Sequence, residues 1–434
     1  MTSAGPHQRT DRRPQGDDAL VASDAVVAGY GRLAAVAAES LAEATNQQIT
    51  AALDAMAERL TVARAEIVEA NERDLRAAEK AGMSVALLDR LLLGQQRIDA
   101  TIAQLRLLAA VEVPPREIEL RELPDGLRLV ERRRPVGVIG ANFEARPGVT
   151  IDVASQLLKS RNAGVLRTGS AALSSALALH RHVIVPALRA AYLDSDAIQL
   201  VEEPGHEFAS ALVRQRGLIK LVILRGSGET TAALGAEAAR YGVRTLAHAD
   251  GGGVLYVDAA ADRDTVVRLL RAGTDRLGVC NRVNLVLIAD AVYDTMRPVV
   301  ENVLRDNRIR VSLPPHGHPL GYEWALDPGN EATVTVAPVG DAREAARVAN
   351  TETSGLAATV VTEDAHAAAT FMDSYSGTGV FWNATTRLLD GFKLHAIPET
   401  GINVDHVPGP RGPVTFADLY LRQYLVLPAT AVLS

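Results

Sequence analysis

Between residues 136 and 247 the chain alternates short aliphatic runs with longer amphipathic stretches, and no other feature limits its fold as strongly. Strands are expected at 136–141, 164–167, 198–201, 218–224 and 243–247, with helices between them at 150–160, 171–193, 206–216 and 230–241. Repeated βαβ units of this kind imply an α/β fold built on a parallel, doubly wound sheet. A second series begins at Val254, where a helix over 263–277 leads through Gly278-Val279-Cys280-Asn281 into a strand over 284–288. Cys280 therefore falls in a loop between elements.

The flanks read differently. Residues 1–24 are rich in Arg, Asp, Gln, Gly and Pro without apolar periodicity, and a disordered tail is expected there. From 25 to 111 apolar residues recur at helical spacing, as in Ile49, Leu53, Met56, Leu60 and then Ala63, Ile67, Ala70. Pro114 and Pro115 stop these helices. Residues 118–134 then alternate around Pro124-Asp125-Gly126, the pattern of a hairpin, and a protruding hairpin serves oligomerisation. The stretch 410–427, with Leu419, Leu421, Tyr424 and Val426, reads as a terminal strand returning to that hairpin.

With 434 residues the chain is long enough for two or three domains, and at 4% aromatic residues their cores must be aliphatic. The net charge of −7, with Lys and Arg scattered, supplies no basic field for nucleic acid. No apolar run reaches the roughly 18 residues that span a bilayer, and residues 1–20 lack the apolar region of a signal peptide. A cytoplasmic protein with no membrane partner is expected.

The chain has a single cysteine, Cys280, which excludes disulfides within it and multi-cysteine metal sites. Such a residue is either a small buried hydrophobe or a nucleophile. At an ordinary pKa of about 8.5 only a few per cent is thiolate, so a catalytic role needs local activation. His248, His316, His318, His366, His395 and His406 show no spacing that defines a triad. The His316/His318 pair beside Pro314, Pro315 and Pro319 reads as a loop cap, and no metal is assigned.

Two glycine turns after strands could present backbone amides to a nucleotide phosphate: Leu224-Arg225-Gly226-Ser227-Gly228-Glu229, and Gly169-Ser170 after Val165-Leu166-Arg167. Arg167 could face a ribose phosphate. The segment Ala141-Asn142-Phe143-Glu144-Ala145-Arg146-Pro147 leaves a strand end, where ligands of open α/β sheets gather. There Asn142 offers an amide donor for an oxyanion, and Glu144 and Arg146 are either ligand contacts or a surface pair.

Arg134-Pro135-Val136-Gly137-Val138-Ile139-Gly140, followed by Glu144-Ala145-Arg146-Pro147-Gly148-Val149-Thr150, resembles the gamma-glutamyl phosphate reductase family of the aldehyde dehydrogenase superfamily. The resemblance continues through Leu157-Leu158-Lys159-Ser160, Tyr256-Val257-Asp258, Val279-Cys280-Asn281, Asn383-Ala384-Thr385-Thr386-Arg387 and Asp390-Gly391-Phe392. Upstream, Ala81-Gly82-Met83-Ser84 and Leu87-Leu88-Asp89-Arg90-Leu91 match its N-terminal helices.

The resemblance implies an aldehyde dehydrogenase-like fold. Residues 25–116, 136–250 and about 384–412 would form a Rossmann-like cofactor domain, 251–383 an α/β catalytic domain, and 117–135 with 413–434 a small β oligomerisation flap. A homodimer or homotetramer is implied. So is NADP as cofactor, with NAD as the alternative, and an upstream kinase that supplies an acyl phosphate. Cys280 matches the catalytic cysteine. Arg167, Thr168, Gly169, Ser170, Arg225, Gly226, Ser227 and Gly251 would bind cofactor, and Glu144, Arg146, Asn281, Asn383 and Arg387 substrate. The implied reaction is attack of Cys280 on gamma-glutamyl phosphate, loss of phosphate, and hydride delivery to the thioester. Where hydrolytic aldehyde dehydrogenases carry a glutamate base in Glu-Leu-Gly-Gly, this chain reads His248-Ala249-Asp250-Gly251-Gly252, which fits a reductase.

The chain departs from the family at four places. Gly355-Leu356-Ala357-Ala358 replaces a polar Gly-His-Ser-Glu run, and Leu224-Arg225-Gly226-Ser227 replaces Pro-Arg-Gly-Gly. Asn142 replaces an aliphatic residue, and near the end Asn403 replaces a serine. A paralogue acting on another acyl phosphate or aldehyde, and a catalytically silent binding protein, are the alternatives.

Overall fold

The computed structural model describes residues 15–248, 251–327, 329–404, 409 and 411–431. Asp125 and Gly126 adopt positive φ, and this turn joins β1 (Glu117–Leu123) to β2 (Leu127–Pro135) as an antiparallel hairpin. Next come β3 (Val138–Phe143), β4 (Ala163–Thr168), β5 (Ile198–Leu200), β6 (Leu221–Arg225) and β7 (Arg244–His248). They form one parallel sheet in the order β5-β4-β3-β6-β7. Every residue of β3, β4 and β5 is buried, because helices cover both faces. The strand order reverses between β3 and β6. In open α/β sheets such a reversal leaves a crevice beyond the carboxyl ends of the strands.

A second parallel sheet holds β8 (Gly253–Val257), β9 (Val283–Ala289), β10 (Arg310–Ser312), β11 (Thr333–Val339), β12 (Ala357–Val361) and β13 (Gly379–Trp382). Its order is β10-β11-β9-β8-β12-β13. The short strands β14 (Gly401–Asn403) and β15 (Gly412–Val414) pair antiparallel, and β16 (Tyr420–Pro428) runs back along β2. Pro410, at the start of the expected terminal strand, lies outside the described residues, as do Ala249, Asp250 and His406.

Aliphatic side chains fill both faces of both sheets. Ile139, Leu157, Leu166 and Ile184 pack on one side of the first sheet, and Val165, Leu212, Val222 and Leu224 on the other. In the second sheet Tyr256 stacks on Phe371 at 5.6 Å on one face, while Leu255, Val286 and Leu304 fill the opposite face.

Two expectations are corrected. The expected tail at 1–24 is in part structured, since a helix spans Gln15–Glu43 and the Arg214 guanidinium holds Asp24 at 2.7 Å; residues 1–14 lie outside the described residues. The single helix expected over 171–193 is broken by a π turn at His180–Ile184. Pro186 has no N–H to give the carbonyl four residues earlier, and Arg59 Nε donates to that His182 carbonyl at 3.2 Å instead. Two helical stretches, Leu20–Glu43 and Ser170–Ala190, are also long and apolar enough on average to cross a membrane, although neither contains an unbroken apolar run. Their apolar residues serve packing: Val27 and Ala34 of the first join Val165, and Leu179 and Val183 of the second join Leu166.

One side chain ties the three-stranded sheet to the body. Asn162 Oδ1 accepts from Gly137 N at 2.9 Å, just beyond β2, and its Nδ2 donates to the Leu419 carbonyl at 2.9 Å, just before β16. It is fully buried, so truncation would leave both backbone groups without partners. Asn162→Ala should destabilise the protein by about 2–4 kcal/mol, read as a lower urea midpoint with an unchanged slope.

Candidate active site

The carboxyl ends of the first sheet face the amino ends of the second. Arg225 and His248 end β6 and β7, and Glu144 and Arg146 follow β3. Opposite them Gly251 and Gly252 precede β8, Cys280 precedes β9, and Leu356 precedes β12. Two cavities lie in this cleft and share Arg90, Arg146, Arg225 and His248 as walls.

Cys280 opens onto the first, of about 350 Å³. Its loop is held from several directions. Gly252 N donates to the Cys280 carbonyl at 2.8 Å. A Cβ on Gly251 would stand 2.5 Å from that carbonyl oxygen, so only glycine fits there. Asn281 Nδ2 donates to the Leu389 carbonyl at 2.9 Å, and Thr386 Oγ1 donates to the Asn281 carbonyl at 2.7 Å. On the other side Arg90 Nε donates to the Gly278 carbonyl at 2.8 Å.

Guanidinium groups crowd this cavity. Arg276 is neutralised by Asp89 at 2.7 Å and Arg387 by Asp275 at 2.9 Å. By contrast, the side chains of Arg146 and Arg225 make no hydrogen bond or ion pair among the described residues, and Arg225 Nε is buried without a partner. Burial and the neighbouring Arg225 and Arg90 push the Arg146 guanidinium down to about 9. Burial pushes the Cys280 thiol up; Arg146, Arg225 and Arg90 pull it back, and Glu399 opposes them. Carboxylates occupy another part of the wall. Burial, reinforced by Glu399 and Asp390 against the pull of Arg225, raises Asp152 to about 7. Glu399 is likewise raised by burial and Asp390, and its Oε2 accepts from Gly391 N at 2.8 Å.

The second cavity, of about 400 Å³, is lined by Gly169, Ser170, Gly226 and Ser227. Ser227 caps the helix Gly228–Tyr241, its Oγ accepting from Thr230 N at 3.3 Å. Glycine turns and a helix N-terminus on a cavity at a switch point fit a dinucleotide phosphate.

The sequence expectations divide accordingly. Cys280, Arg146, Asn281, Arg387 and Arg225 come together in the first cavity, and Gly169, Ser170, Gly226 and Ser227 in the second. Glu144, expected on the substrate side, lines the second cavity. Gly251 packs on the Cys280 backbone rather than bordering the second cavity. Asn142, Arg167, Thr168 and Asn383 line neither large cavity. Arg167 Nη1 donates to Asn142 Oδ1 at 3.1 Å, and Nη2 donates to the Pro204 and Gly205 carbonyls, so the guanidinium is spent on protein acceptors. Thr168 is buried within β4. Asn383 clamps the end of β12, giving and taking hydrogen bonds with the Thr362 backbone at 3.0 and 3.1 Å.

Arg90, Asp152, Arg276 and Glu399 were not among the expected site residues. Arg90 lies 190 positions before Cys280, and nothing in its local spacing marks it as a neighbour. Its place inside Leu87-Leu88-Asp89-Arg90-Leu91 was the available signal, as Pro398-Glu399 was for Glu399.

Without ligand, Cys280 should react slowly with iodoacetamide at pH 7 and faster as pH rises, with a midpoint above that of an ordinary thiol. Removing one attracting charge by Arg225→Gln should raise that midpoint by about one unit. A midpoint unmoved by the substitution would show that the guanidinium does not act on the thiol.

The model of the aldehyde dehydrogenase family matches residues 25–314. A gamma-glutamyl phosphate reductase of Brucella suis biovar 1 (strain 1330) is 34% identical over 412 residues, covering 92% of this chain and 96% of the relative. Another, from Neisseria meningitidis serogroup C (strain 053442), is 34% identical over 415 residues, covering 91% and 96%. Among solved structures, the gamma-glutamyl phosphate reductase of Thermotoga maritima superposes with a TM-score of 0.82 at 27% identity, covering 94% of this chain and 99% of that one. The chain belongs to the aldehyde dehydrogenase family, and within it is similar over nearly its whole length to gamma-glutamyl phosphate reductases.

Proposed function

We propose that this protein reduces gamma-glutamyl phosphate to glutamate-5-semialdehyde and phosphate through a thioester on Cys280. The observation that carries this reading is the charge pattern of the catalytic cavity, with unpaired guanidiniums beside the thiol and buried carboxylates elsewhere on the same wall. The proposed substrate bears a phosphate and a carboxylate for the arginines, and an ammonium for Asp152 and Glu399. Burying any of these charges alone is costly, and ligand and wall compensate each other.

The Cys280 sulfur attacks the acyl carbon, the bond from that carbon to the phosphate oxygen breaks, and phosphate leaves onto Arg90, Arg146 and Arg225. Hydride addition then returns the thiolate and releases the aldehyde. When bound against Gly169, Ser170, Gly226 and Ser227, a nicotinamide cofactor supplies that hydride; NADPH is the proposed form and NADH the alternative. Leu356, Leu389 and Ile402 pack beside Cys280 and keep water from the thioester.

The acyl phosphate would come from a kinase acting on the free carboxylate. Ile118, Leu120, Leu421, Tyr424 and Val426 are exposed on β1 and β16, and a second copy of the chain is proposed to cover them in a homodimer or homotetramer. A thiol nucleophile suits the reducing cytoplasm.

A second reading, another acyl substrate, is favoured by the same apolar cluster, because Leu356 and Ala357 stand where the resembling family carries polar residues. The reaction run backwards distinguishes them. Glutamate-5-semialdehyde, phosphate and NADP should give NADPH, and Cys280→Ala should lose at least about 10³-fold in kcat. Faster turnover of other aldehydes in a panel would favour the second reading, and no turnover of any would sink both.

A further inference from the structure

We propose that His248 supplies the hydrogen bond that stabilises the oxyanion formed when Cys280 attacks, the role expected of Asn142. This rests on the thioester chemistry proposed above. Asn142 lines neither large cavity, and its Oδ1 is held by Arg167 on the neighbouring strand, so a donor is sought on the wall of the cavity itself. His248 ends β7 on the wall of the catalytic cavity and is 5% exposed.

Its Nδ1 accepts from Ile402 N at 2.7 Å, which assigns the ring proton to Nε2. That Nε2 is buried with no partner among the described residues. A buried donor without an acceptor is costly in the free protein and finds its partner in a ligand oxygen. Burial and the positive field of Arg225, Arg146 and Arg90 also keep the ring neutral. It is therefore a donor that does not protonate further near neutral pH.

The same bond locates the ring. Ile402, whose amide holds Nδ1, packs in the apolar cluster against Cys280, and Gly252, four residues after His248, bonds the Cys280 carbonyl. When sulfur bonds to the acyl carbon, the C=O electron pair moves onto oxygen and is met by Nε2–H, with no proton transferred. When the phosphate bond breaks the C=O reforms, and the cycle repeats as hydride adds to the thioester.

Two substitutions separate the ring's two bonds. His248→Asn keeps an acceptor for Ile402 but loses the distal donor. His248→Gln places an N–H near the Nε2 position. His248→Asn should lower kcat by about 10²–10³-fold with KM within threefold, and His248→Gln should recover most of the loss. Iodoacetamide labelling of Cys280 should be unchanged in both. As a readout independent of the natural substrate, the burst of nitrophenolate on acylation of Cys280 by p-nitrophenyl acetate should slow in the same order. Wild-type protein that shows the burst but turns over no semialdehyde would refute the proposed function and leave this inference standing. Full burst rate in His248→Asn, or a loss shared equally by labelling and acylation, would overturn it.

Discussion

Unpaired guanidiniums held beside one thiol set the terms for the rest of this structure. Arg146 and Arg225 carry charge in a partly dehydrated cleft with no carboxylate in contact among the described residues, which a protein tolerates where a ligand brings the counter-charge. The same field works in two directions. It offsets the penalty that burial imposes on the Cys280 thiolate, and it keeps His248 neutral. The proposed roles of nucleophile, anion site and neutral donor thus follow from one placement of charge.

That placement depends on two sheets meeting end to end. Arg225 and His248 are the last residues of adjacent strands in one sheet, whereas the Cys280 loop enters the other. Neither sheet holds a complete site. The helix Val85–Leu91 closes the gap by sending Arg90 to the Gly278 carbonyl, and its neighbour Asp89 neutralises Arg276 and Arg97. Rigid backbone contacts, above all Gly251 against Cys280, fix the backbone that carries the thiol.

Legibility in the sequence followed the range of the interaction concerned. The alternation over 136–247 announced the parallel sheet because strand burial and helix amphipathicity are local patterns. The return of β16 to β2 was legible because alternating residues on both segments marked half-buried strands. Breaks inside elements were less so: the π turn at His180–Ile184 depends on Pro186 and on Arg59, which lies 123 positions from the carbonyl it satisfies. Asn142 shows the limit most clearly. Its place at a strand end pointed to the cleft, yet it lines neither large cavity, and Arg167, opposite it on the neighbouring strand, holds its amide oxygen.

The sequence by itself determined the fold class, the loop position of the single cysteine, and the two glycine turns that border the second cavity, since each arises from residues adjacent along the chain. Only the tertiary structure decided which charges surround that cysteine and which polar groups remain free. Arg90, Arg146 with Asp152, Arg225 and Glu399 come from four separated segments, and their energies depend on distance and dehydration, which spacing along the chain does not encode.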